Sequence, residues 1–275
     1  MALAGTSLNG GVALVTGGAS GLGKETVFAF IEAGVAGIII ADLNEPAKET
    51  LERCQQLSQN PSFRIISVQV DTSNTESVGR MVETAIETFG RIDYCVHAAG
   101  VLNSSWSMIQ DLDIDDFDRT MSTNSRGTML VLRAVSKAIA KQEPRTYTSP
   151  RNGTTRSLGR GAIVVIASIA AHIAPSKMLP YVVSKYATLG IAKVAASDNL
   201  SNQIRVNVIS PSWADTPMLN PIPGIQQIVE NTTPLKRMAL PEEVADAAVF
   251  LCSPSASFIN GTALVIDAGQ SNSSI

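Results

Sequence analysis

The stretch Val12-Ala13-Leu14-Val15-Thr16-Gly17-Gly18-Ala19-Ser20-Gly21-Leu22-Gly23 (VALVTGGASGLG) decides the fold. Its first five residues form an apolar run of strand length. A glycine-rich turn follows, and from about Leu22 to Ala33 the apolar residues recur at helical spacing until Gly34 stops them. A strand buried on both faces that turns at once into a helix is the unit from which a parallel sheet, covered on two sides, is built. Glycines at that turn let the backbone approach a phosphate closely, and the helix N-terminus adds unpaired N–H groups and a positive dipole end. Gly17, Ser20, Gly21, Leu22 and Gly23 are therefore expected to hold the pyrophosphate of a dinucleotide.

The same rhythm continues outward. Ile38 to Ala41 is a second buried run, Ala47 to Leu57 reads as a helix started by Asn44, Glu45 and Pro46, and Phe63 to Val70 is a third strand. Ser73 to Phe89 is helical with Gly90 as its C-terminal stop, Tyr94 to Val96 is the fourth strand, and about Ile114 to Lys141 reads as one long helix. Strands at Ala162–Ala167, Ile204–Ile209 and Ala263–Ile266 alternate with helices at about Tyr181–Asn199 and Pro241–Cys252. Seven such strands under the right-handed crossover rule predict one doubly wound α/β domain over residues 1–275, a parallel seven-stranded sheet with helices on both faces. Two segments break the rhythm. Residues 141–160, rich in Arg, Ser, Thr and Gly, are expected to be an exposed insertion loop. Residues 210–240, with five prolines among apolar residues, are expected to be a substrate-binding loop or lid.

Asp42 ends the second strand, roughly 20 residues beyond the glycine loop, where a carboxylate accepts hydrogen bonds from ribose hydroxyls. It would also repel the extra phosphate of NADP, and neither Ser20 nor the adjoining Leu43 supplies a cation to offset that. NAD is the expected cofactor; the blander alternative is that Asp42 only starts a turn with Asn44.

Composition narrows the function classes. A net charge of −3, from 21 basic and 24 acidic residues, makes no electrostatic case for nucleic acid or an anionic membrane. Cys54, Cys95 and Cys252 are odd in number and scattered, so neither a disulfide framework nor a metal site is expected. The start of the chain has no basic residue before Lys24, and no apolar stretch is long enough to span a bilayer. A cytoplasmic protein with a small-molecule substrate is the expectation.

Tyr181 and Lys185 stand four residues apart at the start of a helix and share a face. A phenol with a pKa near ~10 is a poor base at neutral pH, and a neighbouring ammonium favours its ionised form. Ser168, at the end of a strand, is placed to donate to a substrate oxygen. Such a trio suits proton transfer at an alcohol or carbonyl.

With these pieces in order, the chain resembles the short-chain dehydrogenase/reductase family, of the short single-domain Rossmann type, over nearly its whole length. The resemblance rests on TGGASGLG at 16–23, Asp42, Val70-Asp71, His97-Ala98-Ala99-Gly100, Asn124, Ser168, Tyr181-Val182-Val183-Ser184-Lys185, and Asn207 through Thr216. It implies that Tyr181 is the general acid/base. Lys185 lowers its pKa and holds the nicotinamide ribose, Ser168 polarises the substrate oxygen, and Asn124 fixes a water in a proton relay. It also implies that Asp71 and Thr72 meet the adenine, that Ala99 and Gly100 lie along the cofactor, and that Pro211, Ala214 and Thr216 flank the nicotinamide. A homodimer or homotetramer packed through the helices near 114–141 and 181–199 is implied as well.

The chain departs from the family pattern where His97 replaces the usual first residue of its motif, and where Ser212 follows Pro211 in place of glycine. His97 reads as a structural substitution, and His172 as a pocket wall or satisfied surface residue. The insertion at 141–160 is similar to those of fungal secondary-metabolism members. Val101, Leu102, Trp106, Ile169, Met178, Leu179, Trp213, Met218, Leu219 and Ile222 are the expected pocket walls. They suit a sizeable, mostly apolar terpenoid, steroid or polyketide-like secondary alcohol, with oxidation the expected direction. A non-catalytic NAD(H)-binding scaffold or sensor, or an isomerase of the same scaffold, are the alternatives.

Overall fold

The computed structural model describes residues 5–8 and 10–272. The chain runs β1 (Val12–Thr16), α1 (Gly21–Glu32), β2 (Gly37–Asp42), α2 (Lys48–Leu57), β3 (Arg64–Gln69), α3 (Thr75–Phe89) and β4 (Tyr94–His97). There follow α4 (Ile114–Met121), α5 (Gly127–Ile139), β5 (Arg145–Thr148), β6 (Thr155–Gly159), β7 (Gly161–Ile166), α6 (Leu179–Asp198), β8 (Ile204–Pro211), α7 (Ile225–Thr232), α8 (Pro241–Cys252) and β9 (Ala263–Ile266). Seven strands form one sheet in the order β3-β2-β1-β4-β7-β8-β9, and every pairing in it is parallel. This is the expected doubly wound Rossmann architecture.

Successive side chains of a strand point to opposite faces, so a strand buried on both sides must be apolar throughout. Val12 and Leu14 join the core under α3, α5 and α6, whereas Ala13 and Val15 join the core under α1 and α8. Ile163 and Val165 divide from Val164 and Ile166 in the same way. The order of strands reverses at β1 and β4, which opens a crevice at their C-terminal ends.

Three local features differ from the sequence expectation. The long helix at 114–141 is interrupted by a π-helical turn, Ser122–Arg126, that carries Asn124 between α4 and α5. The Thr128 hydroxyl donates to the Asn124 carbonyl oxygen at 2.5 Å, competing with a regular helical N–H for it, and the Thr188 hydroxyl lies 3.1 Å from the same oxygen.

The insertion at 141–160 is exposed as expected but is not a plain loop. β5 and β6 pair antiparallel as a hairpin, because Thr146-Tyr147-Thr148 and Thr155 favour extended backbone around a turn that closes at Gly153 with φ +70°. Arg156 stacks on Tyr147 and donates to the Pro254 carbonyl at 2.9 Å, and Arg145 donates to the Tyr94 hydroxyl at 2.9 Å. The hairpin is thus pinned beside the start of β4, at the end of the sheet remote from the crevice.

The 210–240 segment is also more ordered than a loop. β8 extends to Pro211, a 3₁₀ turn covers Pro217–Leu219, α7 follows, and a parallel bridge joins Ala214 to Ala239. No helix among the described residues is long and apolar enough to cross a membrane.

Candidate active site

Every sequence-predicted site residue except Asn124, Tyr181 and Lys185 lies within β1, β2, β3, β4, β7 or β8 at its C-terminal end, or just beyond it, and α6 and the π turn supply those three. The glycine loop comes first. Gly17 has φ +69°, and a Cβ there would stand 2.8–2.9 Å from the Ala98–Ala99 backbone, so only glycine lets the loop lie against the segment after β4. A Cβ on Gly23 would overlap the Gly17 carbonyl. Ser20 is the N-cap of α1 but makes no side-chain cap hydrogen bond, and the first turn holds no acidic residue. Those N–H groups are left for an anion.

The Asp42 carboxylate accepts from the Ala19 N–H at 3.0 Å and from the Asn44 N–H at 3.0 Å. The turn-starting role and the loop-holding role thus coexist. A carboxylate accepts about four hydrogen bonds, so about two of its lone-pair sites stay open. Leu43 beside it is 60% exposed, and its carbonyl accepts from the Gln69 side chain at 3.1 Å. Asp71 accepts from the Ser73 N–H and hydroxyl at 2.9 and 2.7 Å, and the buried Thr72 packs against Gly127 at the start of α5.

His97 is fully buried and bridges two threonines. Its Nδ1 lies 2.7 Å from Thr16 Oγ1 and its Nε2 lies 3.1 Å from Thr128 Oγ1. The Thr128 hydroxyl donates to the Asn124 carbonyl, so it accepts from Nε2–H, and Nδ1 accepts the Thr16 hydroxyl proton. Ala99 N–H in turn donates weakly to Thr16 Oγ1 at 3.4 Å. Burial, with a smaller contribution from Lys185, holds the His97 pKa down to about 3, so the ring is neutral. The histidine thus has a structural part, joining the ends of β4 and β1 to α5 and, through Thr128, to the π turn. His172 is an exposed residue whose Nε2 lies 3.0 Å from Ser210 Oγ.

The Asn124 side chain clamps the Val101 backbone, accepting from its N–H and donating to its carbonyl at 2.8 Å each, and donates to Ser184 Oγ at 3.0 Å. Lys185 is buried and donates to the Ile166 carbonyl at 3.2 Å, with its Nζ 5.5 Å from the centre of the Tyr181 ring. Burial alone lowers its pKa to about 8. The Tyr181 phenol is shifted upward by burial, and its hydrogen bond with Ser168 offsets part of that. This is opposite in direction to the lowering read from the sequence. The ammonium sits over the ring face and on a backbone carbonyl rather than at the phenol oxygen, so desolvation wins. The Ser168 hydroxyl also receives the Ala170 N–H at 3.1 Å and lies 3.5 Å from the Pro211 carbonyl.

Ser168 and Tyr181 open into a cleft whose walls include Leu22, Leu102, Ile169, Met178, Pro211, Trp213, Ala214, Thr216, Met218 and Leu219. The Thr216 side chain is 3.3 Å from the Cβ position of Gly21, so the loop after β8 reaches the glycine loop. Of the expected walls, Val101, Trp106, Leu179 and Ile222 do not line it; Trp106 is 39% exposed, and Ile222 is buried elsewhere. Ile173 and Pro175, a few residues beyond Ser168, also line it, and so does Gln270, which had no signal in the sequence because the turn after β9 is brought in only by tertiary packing. A larger groove between α3 and α5 lies apart from all these side chains and holds none of the candidate chemistry.

The family model described as enoyl-(acyl carrier protein) reductase matches residues 17–271. The short-chain dehydrogenase fogB of Aspergillus ruber is 41% identical, over 94% of this chain and 96% of its own. The mitochondrial (−)-isopiperitenol/(−)-carveol dehydrogenase of Mentha piperita is 31% identical, over 95% of this chain and 94% of its own. Among solved structures, a 7α-hydroxysteroid dehydrogenase complexed with NADH and 7-oxo glycochenodeoxycholic acid superposes with a TM-score of 0.82. It is 28% identical and covers 96% of each chain. The chain belongs to the short-chain dehydrogenase/reductase family, a family of oxidoreductases.

Proposed function

We propose that this member of the short-chain dehydrogenase/reductase family is an NAD(H)-dependent oxidoreductase that interconverts a secondary alcohol and its ketone on a sizeable, mostly apolar substrate. The observation that carries the reading is the meeting of Ser168, Tyr181 and Lys185 at the crevice, beside a glycine loop whose helix N-terminus has no side-chain cap.

The residues present suit a dinucleotide. The close approach of Gly17 to the Ala98–Ala99 backbone fixes the shape of the loop, and the uncapped start of α1 would meet a pyrophosphate through Gly17, Ser20, Gly21, Leu22 and Gly23. The open lone pairs of Asp42 take the ribose hydroxyls, and its charge disfavours NADP. Asp71 and Thr72 would meet the adenine, Ala99 and Gly100 would border the cofactor, and Pro211, Ala214 and Thr216 would hold its reactive end. When bound, the nicotinamide supplies the hydride acceptor or donor.

The chain's own residues handle the proton. In oxidation the ionised Tyr181 Oη takes it from the carbinol oxygen, and in reduction the Tyr181 hydroxyl gives it back. Ser168 donates to the same oxygen and fixes its position. Lys185 and a water held at the Asn124 carbonyl would form the relay between the site and solvent. The Thr188 hydroxyl has a nearer acceptor in the Ser184 carbonyl, at 2.9 Å, which leaves one Asn124 lone pair for that water. The apolar walls favour terpenoid, steroid or polyketide-like alcohols, and the 210–240 segment serves as their cover. Met129, Val183, Tyr186 and Val194 are exposed on α5 and α6 and form the face through which a dimer or tetramer would assemble.

Titration with NADH and NADPH, followed by tryptophan quenching, tests the cofactor reading. NADH is expected to bind at least about tenfold tighter, ~1.4 kcal/mol. Equal or tighter NADPH binding overturns the assignment to Asp42. A screen of apolar secondary alcohols with NAD then tests the reaction. Product formation without change in nicotinamide absorbance would favour the isomerase alternative, and cofactor binding without product from any alcohol would favour the scaffold.

A further inference from the structure

We propose that Gln270 is a substrate-specificity residue, whose carboxamide nitrogen donates to an oxygen that the substrate carries away from its reacting carbon. The inference rests on the alcohol–ketone reading of the same cleft and names a further feature of the substrate: a second oxygen function, a carbonyl, ether or hydroxyl acceptor.

Three observations carry it. The first is an inventory of polar groups in the cleft. Beyond Ser168 and Tyr181, the polar side chains of its described walls are Ser212, Trp213, Thr216 and Gln270. Trp213 Nε1 donates to Thr232 Oγ1 at 3.2 Å, and Thr216 Oγ1 donates to the Ala214 carbonyl at 3.3 Å. Ser212 donates its hydroxyl to Gln270 Oε1. The amide nitrogen of Gln270 then has no acceptor among the described residues, which leaves a pair of donors on an otherwise apolar surface.

The second observation is that the amide is held. The Ser212 hydroxyl is what orients the carboxamide. The Ser212 N–H also donates to the Ile266 carbonyl at 2.9 Å, which ties the loop after β8 to the end of β9. The third is that the segment bearing Gln270 is built rather than loose. Asp267 accepts from the Gly269 N–H at 2.8 Å and the Ser271 N–H at 2.7 Å, and Ala268 is kept at φ +53°. A non-glycine residue in that region costs free energy and persists only where its surroundings determine it. A donor so fixed discriminates ligands, because an apolar partner would leave it desolvated and unpaired.

The test uses one skeleton with and without the second oxygen: trans-2-decalol and its counterpart bearing a ketone on the other ring, each with NAD. The wild-type protein is expected to favour the keto alcohol in kcat/KM. In Gln270→Leu that preference should fall by roughly 3- to 10-fold, chiefly through KM, the size expected for one hydrogen bond. Ser212→Ala, which frees the amide, should fall in the same direction by less. Gln270→Glu, which replaces the donors by acceptors, should disfavour the keto alcohol and serves if the leucine variant fails to fold.

An unchanged preference in a folded Gln270→Leu or Gln270→Glu protein overturns the proposal. So does a loss that is equal for both probes. If the wild-type protein oxidises neither probe, equilibrium binding of the same pair, read by quenching of Trp213, still decides the role of Gln270. A binding preference that Gln270→Leu abolishes then upholds it while the alcohol–ketone reading falls.

Discussion

Two buried polar networks lie side by side at the C-terminal ends of the strands, and they are built to opposite rules. Around His97 each hydrogen bond has its donor and its acceptor: Thr16 to Nδ1, Nε2–H to Thr128, Thr128 to the Asn124 carbonyl. Around Tyr181 the accounting stays open. Lys185 is a buried ammonium with one carbonyl at 3.2 Å, Tyr181 is a phenol shifted upward by burial, and Ser168 has only a 3.5 Å contact to a carbonyl acceptor. Closed networks specify a structure, whereas open ones keep unspent hydrogen-bonding capacity for a ligand. The helix starts repeat the contrast. α3 and α4 are capped by Asn74 and Asp113 and carry acidic first turns, while α1, at the glycine loop, has neither.

The largest effect should come from breaking the open network. Tyr181→Phe is expected to lower turnover by roughly 10²- to 10⁴-fold while leaving the melting temperature nearly unchanged. Steady-state rates beside thermal melts check this, and retained turnover would remove Tyr181 from the acid/base role. The closed network should answer in the other currency. His97→Leu strands the Thr16 hydroxyl donor and leaves Thr128 without its donor, at a cost of roughly 2–4 kcal/mol in denaturant unfolding, with His97→Asn costing less. A His97→Leu protein as stable as the wild type would mean that the network is not what holds β1 to the π turn.

Lys185 sharpens the comparison through pH. Its pKa falls from the model-compound value of 10.5 to about 8 in the folded protein, so between those values the unfolded chain binds more protons and stability rises with pH. Below about pH 8 both states are protonated and the full penalty applies. Lys185→Met is therefore expected to be more stable than wild type at pH 7, by up to ~3 kcal/mol, with the gap closing toward pH 10.5. Unfolding curves at several pH values test it, and turnover should be lost in the same variant. The smallest effect concerns the helix starts. Asn74→Ala should cost about 1 kcal/mol, and Ser20→Ala close to nothing, since only Asn74 makes a cap bond.

Much of this was readable in the chain. Continuous apolar strands, helices of ordinary length and a glycine loop at the first turn are local patterns, and the sheet and its crevice follow from them. Ser168, Tyr181 and Lys185 were legible because their types and spacing carry a chemistry. The hairpin at 145–159 was less so, since polar threonines dominate it and its turn signal was outweighed by composition. The π turn at Asn124 was not legible either, because its contacts reach Ser184 and Thr188 on a helix far along the chain.

The sequence by itself determined the doubly wound fold, the family and the residue types that gather at the crevice. Each of these follows from near-neighbour periodicity or from motifs of fixed spacing. Only the tertiary structure decided the direction of the Tyr181 and Lys185 shifts, the neutral bridging state of His97, and the presence of Gln270 in the cleft. Those depend on burial and on contacts between distant segments, and desolvation has no signature in the order of residues.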